Sequence, residues 1–225
     1  MKNQTAILIF ANSAEKEAER KSFLSAYVFS ALNEQTLKIV EKSGLPYFHF
    51  SEKNQVGQNF AERFVNAIEA IYAKGFHNVI TVGNDTPHLK THHLVKVNKD
   101  LAKNDLVLGP SKDGGFYLMG LKKEHYHKET FLKLPWQTSK LHKSISNIIA
   151  SKNLLVKFLE ILKDIDVKED IKQIIDSFKT IPLSILTLLK HLIFTSKNIL
   201  SEIEINISDT IFTQPFNKGS PSIFA

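Results

Sequence analysis

The 225-residue chain contains no cysteine, which excludes disulfides, thiolate metal centres and a cysteine nucleophile. Arginine is almost as scarce. Arg20 and Arg63 are the only two, so the formal net charge of +6 rests on lysine. Nucleic-acid readers rely on arginine forks for phosphates and guanine edges, and lysine scattered along the whole chain forms no such stripe, so no nucleic-acid partner is expected. A mildly positive surface does suit an anionic small molecule such as a nucleotide sugar. A run long enough to cross a membrane is also missing: the most apolar one, "IPLSILTLLKHLIF" (181–194), has fourteen residues and holds Lys190 and His191, short of the roughly twenty a span needs. The N-terminal apolar run is shorter still and is followed by charged residues, unlike a secretory signal. A cytoplasmic protein is expected.

What is present is a composition of 43% apolar and 23% charged residues, which fits an α/β domain with an appendage. "TAILIF" (5–10), "PYFHF" (46–50) and "HNVITVG" (77–83) read as strands. Between them lie a loop and helix in "NSAEKEAERKSFLSAYVFSAL" after the first strand and a helix "NFAERFVNAIEAIYAKG" after the second, the latter stopped by Gly75. A helix from about His92 to Ala102, capped by Thr91, precedes a strand pair "DLVLGP" and "GFYLMGL". Further on, 140–150 and 168–178 read as helices and 154–162 as a strand. This alternation predicts a three-layer sandwich around a mostly parallel sheet, with ligands bound outside the carboxyl ends of its strands. Residues 1–179 form the expected domain. Residues 180–225, an apolar helix and an extended tail, are expected to pack on it and to contribute to a homodimer.

Three stretches can carry chemistry. Asp113-Gly114-Gly115, in a chain with only nine glycines, reads as a hairpin turn, as backbone open to a ligand beside an accepting carboxylate, or as both. Asn84 and Asp85 follow the strand at 77–83; Asp85 or Thr86 could cap a helix beginning at Pro87, or Asp85 could ligate a hard cation. Asp164 and Asp166 stand two apart after a predicted strand, so their carboxylates can converge; a solvated acidic turn reads equally well. The one tryptophan, Trp136, offers a flat surface for a sugar or base, or a core anchor. His88, His92 and His93 are expected on a solvated helix face.

Taken in order, "GNDTPHL", "DLVLGPSKDGGFYLMGL", "LPWQTSKL" and "DIDVKEDI" resemble a bacterial family of glycosyltransferase-A-like, radical-SAM/selenodomain-associated transferases, similar in turn to molybdopterin and phospholactate guanylyltransferases. The family pattern runs G-T-D-x-P-x-L, V-L-G-P-x-x-D-G-G-Y-Y-L-x-G-L, P-W-S-T, D-x-D-T-P-E-D, and the resemblance covers roughly residues 5–178. "QVGQNFAERF" is similar to its Q-x-G-x-D-L-G-x-R-M and puts Arg63 on a family position. The resemblance implies a nucleotide-diphospho-sugar transferase fold and a magnesium or manganese ion held by Asp85 and Asp166. It also implies Asp113 in a catalytic role, with Asn84, Gly114, Gly115, Trp136 and Arg63 toward the substrate. The activity implied is sugar transfer from a nucleotide diphosphate donor; a nucleotidyltransferase and a non-catalytic module on the same fold are the alternatives. The chain departs from the pattern after its first strand. Where members carry a loop P-x-x-G-x-V-K-T-R-L, it has "NSAEKEAERKSF", with three glutamates, no glycine or proline, and only Arg20 and Lys21 near the basic positions.

Overall fold

A computed structural model describes residues 4–177 and 179–193. Its strands are β1 (Thr5–Phe10), β2 (Tyr47–Phe50), β3 (Asn78–Val82), β4 (Leu106–Pro110), β5 (Phe116–Lys122) and β6 (Val156–Phe158). They form one sheet in the order β2-β1-β3-β5-β4-β6. Only β5 is antiparallel to its neighbours. The carboxyl ends of the other five strands therefore share one edge, and the β4–β5 turn joins them there.

Alternation along the strands builds the layers. Ile7, Ile9, Ile80, Val82 and Val107 turn to one face, against α2 (Ala26–Glu41) and α4 (Thr91–Asp100), where Val40, Leu94, Val97 and Leu101 meet them. Ala6, Leu8, Val79, Leu106 and Leu108 turn to the other, against α3 (Phe60–Ala73) and the later helices α5 (Lys128–Leu132) and α6 (Leu141–Lys152). Covered on both faces, β1, β3 and β4 are buried almost throughout, which is why they read as continuous apolar runs. The expected α/β three-layer architecture with a mostly parallel sheet is present.

Four local expectations are corrected. The stretch after β1, expected as a loop and one helix, is two helices, α1 (Ala14–Arg20) and α2, because the chain leaves helical geometry at Lys21 (φ −119°, ψ 68°). The strand expected over 154–162 pairs regularly only at Val156–Phe158: beyond it Pro110 of β4 has no N–H to continue the ladder, and the two segments meet again only at an isolated bridge between Ser111 and Leu162. Thr91 is not the cap of α4. Lys90 occupies that position, and its free N–H donates to His93 Nδ1 at 3.0 Å. His88 and His93 are buried, not solvated; among the three histidines only His92 is exposed.

The apolar run near the C-terminus is helical over 183–193, where the described residues end. Ile185 and Leu189 are buried in a third cluster with Leu24, Phe29 and Leu32 near or on α2, Ile165, and Ile171 and Ile174 of α7 (Lys168–Ile175). This helix packs on the domain's flank. The extended tail expected beyond it lies outside the described residues.

Candidate functional site

The shared strand edge encloses a cavity of about 450 Å³. Asp85, Asp166, Asp113, Asn84, Gly115, Trp136 and Arg63 all line it; of the residues that the family resemblance assigns to the site, only Gly114 does not. Both arginines of the chain face this one cavity.

Asp113 sits in the β4–β5 turn. Its Oδ1 accepts from Ser111 Oγ at 2.5 Å and from Gly115 N–H at 3.0 Å, while Oδ2 accepts no hydrogen bond among the described residues. The two glycines do different jobs. Gly114 has φ +92°, and a Cβ there would lie 3.0 Å from the Ser139 carbonyl, so it serves the turn and the close approach of the 134–141 segment. Gly115 has no positive φ, and its Cβ would press on Ser111 Oγ at 3.1 Å and on the Asp113 carboxylate at 3.3 Å. The hairpin turn thus also faces the cavity, through Asp113 and Gly115.

Opposite, the chain beyond β3 does not start a helix at Asp85. Thr86 donates to Asp164 Oδ1 at 2.5 Å, and α4 begins only at Thr91. Asn84 is tied to Asn33 on α2 at 2.5 Å. The Asp85 carbonyl accepts from Ile165 N–H at 2.9 Å, locking the β3 loop to the segment that carries Asp164 and Asp166. That segment is fixed in turn by Asp170 of α7, whose Oδ2 accepts from the N–H groups of Asp166 and Val167, both at 2.9 Å. Burial first, then the neighbouring Asp85, push the Asp164 carboxyl well above the usual carboxylate range.

Between these carboxylates lies Lys21, a residue the sequence did not single out as a site residue. It is the only lysine among the buried described residues. Its Nζ donates to Asp85 Oδ2 at 2.8 Å, to Asp166 Oδ1 at 2.9 Å and to the Ile165 carbonyl at 2.5 Å. Burial works to lower its pKa, but Asp85 and Asp166 more than offset that, and the net shift is upward. The helix α1 delivers this side chain. Ser13 caps it by accepting from Lys16 N–H at 3.3 Å, and Glu15 and Glu17 in its first turn suit the helix dipole. Glu17 is itself buried and accepts from Arg20 at 2.9 and 3.1 Å and from Asn12 at 2.7 Å.

Asp85 and Asp166 are brought together, as a cation site requires. The position their oxygens share with the Ile165 carbonyl is filled by an ammonium, and a divalent cation using those oxygens would need that place. With Lys21 where it is, the donor set does not fit the ion the sequence resemblance implies.

Arg63 projects from α3, and its guanidinium has neither hydrogen-bond nor ion-pair partner among the described residues. Trp136 is anchored: its indole N–H donates to the Phe131 carbonyl at 2.7 Å, and its ring meets Phe64 edge-on at 5.0 Å and tilts against Phe60 at 5.8 Å. It is a core anchor that also contributes one apolar wall to the cavity from an aromatic cluster.

A second group of candidate ligands, His92, His93 and Glu160, holds its ligating atoms within 4.8 Å of one another outside the cavity. His93 has no lone pair to give. Its Nδ1 accepts from Lys90 N–H, so the proton is on Nε2, which donates to Glu160 Oε1 at 2.9 Å. Among the described residues no helix is long and apolar enough to cross a membrane.

The fold has clear relatives. The chain aligns with a proposed nucleotide-diphospho-sugar transferase from Desulfovibrio desulfuricans G20 at a TM-score of 0.68 and 20% identity, over 83% of this chain and 94% of that one. Rv0371c from Mycobacterium tuberculosis H37Rv follows at 0.50 and 12% identity, over 79% of this chain and all of that one; a manganese complex of that protein aligns at 0.48 and 10% identity over the same shares. At such identities the likeness is one of fold. No curated protein matches the sequence. Residues 16–138 match the model of a family described as an uncharacterized protein conserved in bacteria, DUF2064, and since that is more than half of the 225 residues, the chain belongs to this family.

Proposed function

We propose that the cavity receives a nucleotide-diphosphate-linked sugar and that the protein transfers the sugar to an acceptor hydroxyl. One observation carries this reading: Asp113, Asp85, Asp166 and both arginines converge on a single cavity at the carboxyl edge of a parallel sheet. In the step proposed, the bond between the anomeric carbon and the diphosphate oxygen breaks, and the nucleoside diphosphate leaves with the electron pair. The acceptor oxygen forms the new bond and gives its proton to Asp113 Oδ2, which has no partner among the described residues and is held in place through the two bonds on Oδ1. Arg63, unpaired among the described residues, is the cation for the diphosphate. The aromatic wall with Trp136 excludes water from the sugar.

A second reading, a binding module without catalysis, has its own support. Lys21 satisfies the acidic pair internally, and all three of its N–H donors are used. Calorimetry with a panel of nucleotide sugars and nucleoside triphosphates separates the readings. The expected result is binding of a sugar nucleotide that weakens at least about tenfold in Arg63→Ala, the loss of a charge-assisted contact, followed by turnover that Asp113→Asn abolishes. Binding without turnover across acceptors supports the module. Preference for a triphosphate, with release of pyrophosphate, identifies a nucleotidyltransferase, and silence across the panel refutes the nucleotide reading.

A further inference from the structure

We infer that Lys21 is a built-in substitute for a divalent cation: its ammonium occupies the point on which Asp85, Asp166 and the Ile165 carbonyl converge, and the site works with that charge in place of a metal. Three oxygens from two loops aimed at one point, two of them carboxylate oxygens, are the makings of a hard-cation site. The centre they enclose is 2.5 to 2.9 Å from each oxygen and is taken by Nζ, which has one proton for each of the three. The arrangement is deep and specific, since the lysine side chain is only 5% exposed and reaches across 64 and 145 residues of sequence to its two carboxylates.

The rest of the α1 segment explains how the substitution is achieved. A glycine-bearing loop could offer backbone N–H groups to phosphate, but here the chain folds into a seven-residue helix, α1. Its C-cap is Lys21, whose backbone N–H is held by the Glu17 carbonyl at 2.8 Å. Glu17 also anchors Arg20 and Asn12, so the residues around Lys21 are committed to positioning, not to phosphate. The three glutamates of this segment, out of place in a phosphate-cradling loop, are in place in a helix that delivers a lysine.

The cation replacement stands on geometry alone. Its consequence, that ligand binding is indifferent to chelators because phosphate charge is met by Arg63 and not by a metal, rests on the function proposed above. The test therefore uses Mn²⁺ alone, read by electron paramagnetic resonance, so that its failure is separate from failure of the nucleotide reading. Wild-type protein is expected to show no Mn²⁺ site that depends on Asp85. Lys21→Ala uncovers the acidic pair and is expected to bind one Mn²⁺ at least about tenfold more tightly than wild type, a gain that Lys21→Ala/Asp85→Asn removes. Wild-type binding of one Mn²⁺ that Asp85→Asn abolishes overturns the inference, as does a folded Lys21→Ala with no gain. Lys21→Met, which keeps the aliphatic stem packed, repeats the test if the alanine variant does not fold. Should neither fold in metal-free buffer, folding on addition of Mn²⁺ supports the inference and failure to fold with it counts against it.

Discussion

Two lysine–carboxylate clusters in this molecule use the same chemistry in different surroundings. Lys21 meets Asp85 and Asp166 at 2.8 and 2.9 Å with its side chain 5% exposed. Lys179 meets Glu160, which also takes the His93 N–H, with the lysine 38% and the glutamate 51% exposed. Contact geometry hardly separates them; access to water does. An exposed pair is worth little, because water serves either ion nearly as well, whereas removing one member of a buried pair strands the other in a poor solvent.

The sharpest way to break this contrast is Lys21→Ala in metal-free buffer. Loss of about 2–4 kcal/mol is expected, at or somewhat below the range for a buried pair because Asp166 keeps some water. For a chain of this size that lowers the melting temperature by roughly 4–16 °C. A denaturation curve shifted by less than about 1 kcal/mol would put Lys21 in the same class as Lys179. Next in size is Asp85→Asn, which weakens a charged hydrogen bond to a sealed lysine and should cost about 1–3 kcal/mol. Asp166→Asn should cost less, because that carboxylate is 45% exposed against 24% for Asp85. Equal costs would mean that exposure does not rank these bonds.

Titration separates the two clusters by sign. The Glu160 pKa is lowered to about 2 from 4.5, first by its hydrogen bond from Lys179 and then by that from His93. Its stabilisation is therefore present above about 4.5 and lost as the pH falls from there to about 2. Lys21 is shifted upward from 10.5, so the contribution of its own proton is present below that value and is lost as the pH rises through the higher folded one. Acid melts of wild type and Glu160→Gln should converge as the pH drops through that lower window, while the difference between Lys21→Ala and wild type should shrink as the pH rises into alkali. The smallest effect expected is Glu160→Gln at neutral pH, under about 1 kcal/mol, since half of that side chain is in water.

The sequence showed what depends on local pattern. Strands buried on both faces, the glycine stop at Gly75 and the Asp113 turn were all legible because each is set by neighbours a few residues away. Pairing of Asp85 with Asp166 was reachable only through the family resemblance, since no spacing links residues 81 apart. Lys21 was illegible for a plainer reason. One lysine among so many carries no mark until the fold buries it, and the residues that make it distinctive, Asp85, Ile165 and Asp166, arrive from 64 to 145 residues further along the chain. The histidines misled for a related cause: α4 displays His92 to water and turns His93 inward, one residue apart on a helix.

The third apolar cluster gives the site a mechanical dependence on a distant surface. Ala14 and Leu24, on either side of Lys21 in sequence, share it with Ile165, whose carbonyl Lys21 holds, and with Ile185 and Leu189 of the helical run 183–193. Peeling that run away opens the packing that fixes both the lysine and one of its acceptors. The helices α1 and α7 and the run at 183–193 should therefore open as one cooperative unit, with amide protons that exchange at a common rate. A ligand that draws on the acidic pair would slow exchange along the whole flank, far from any atom it touches.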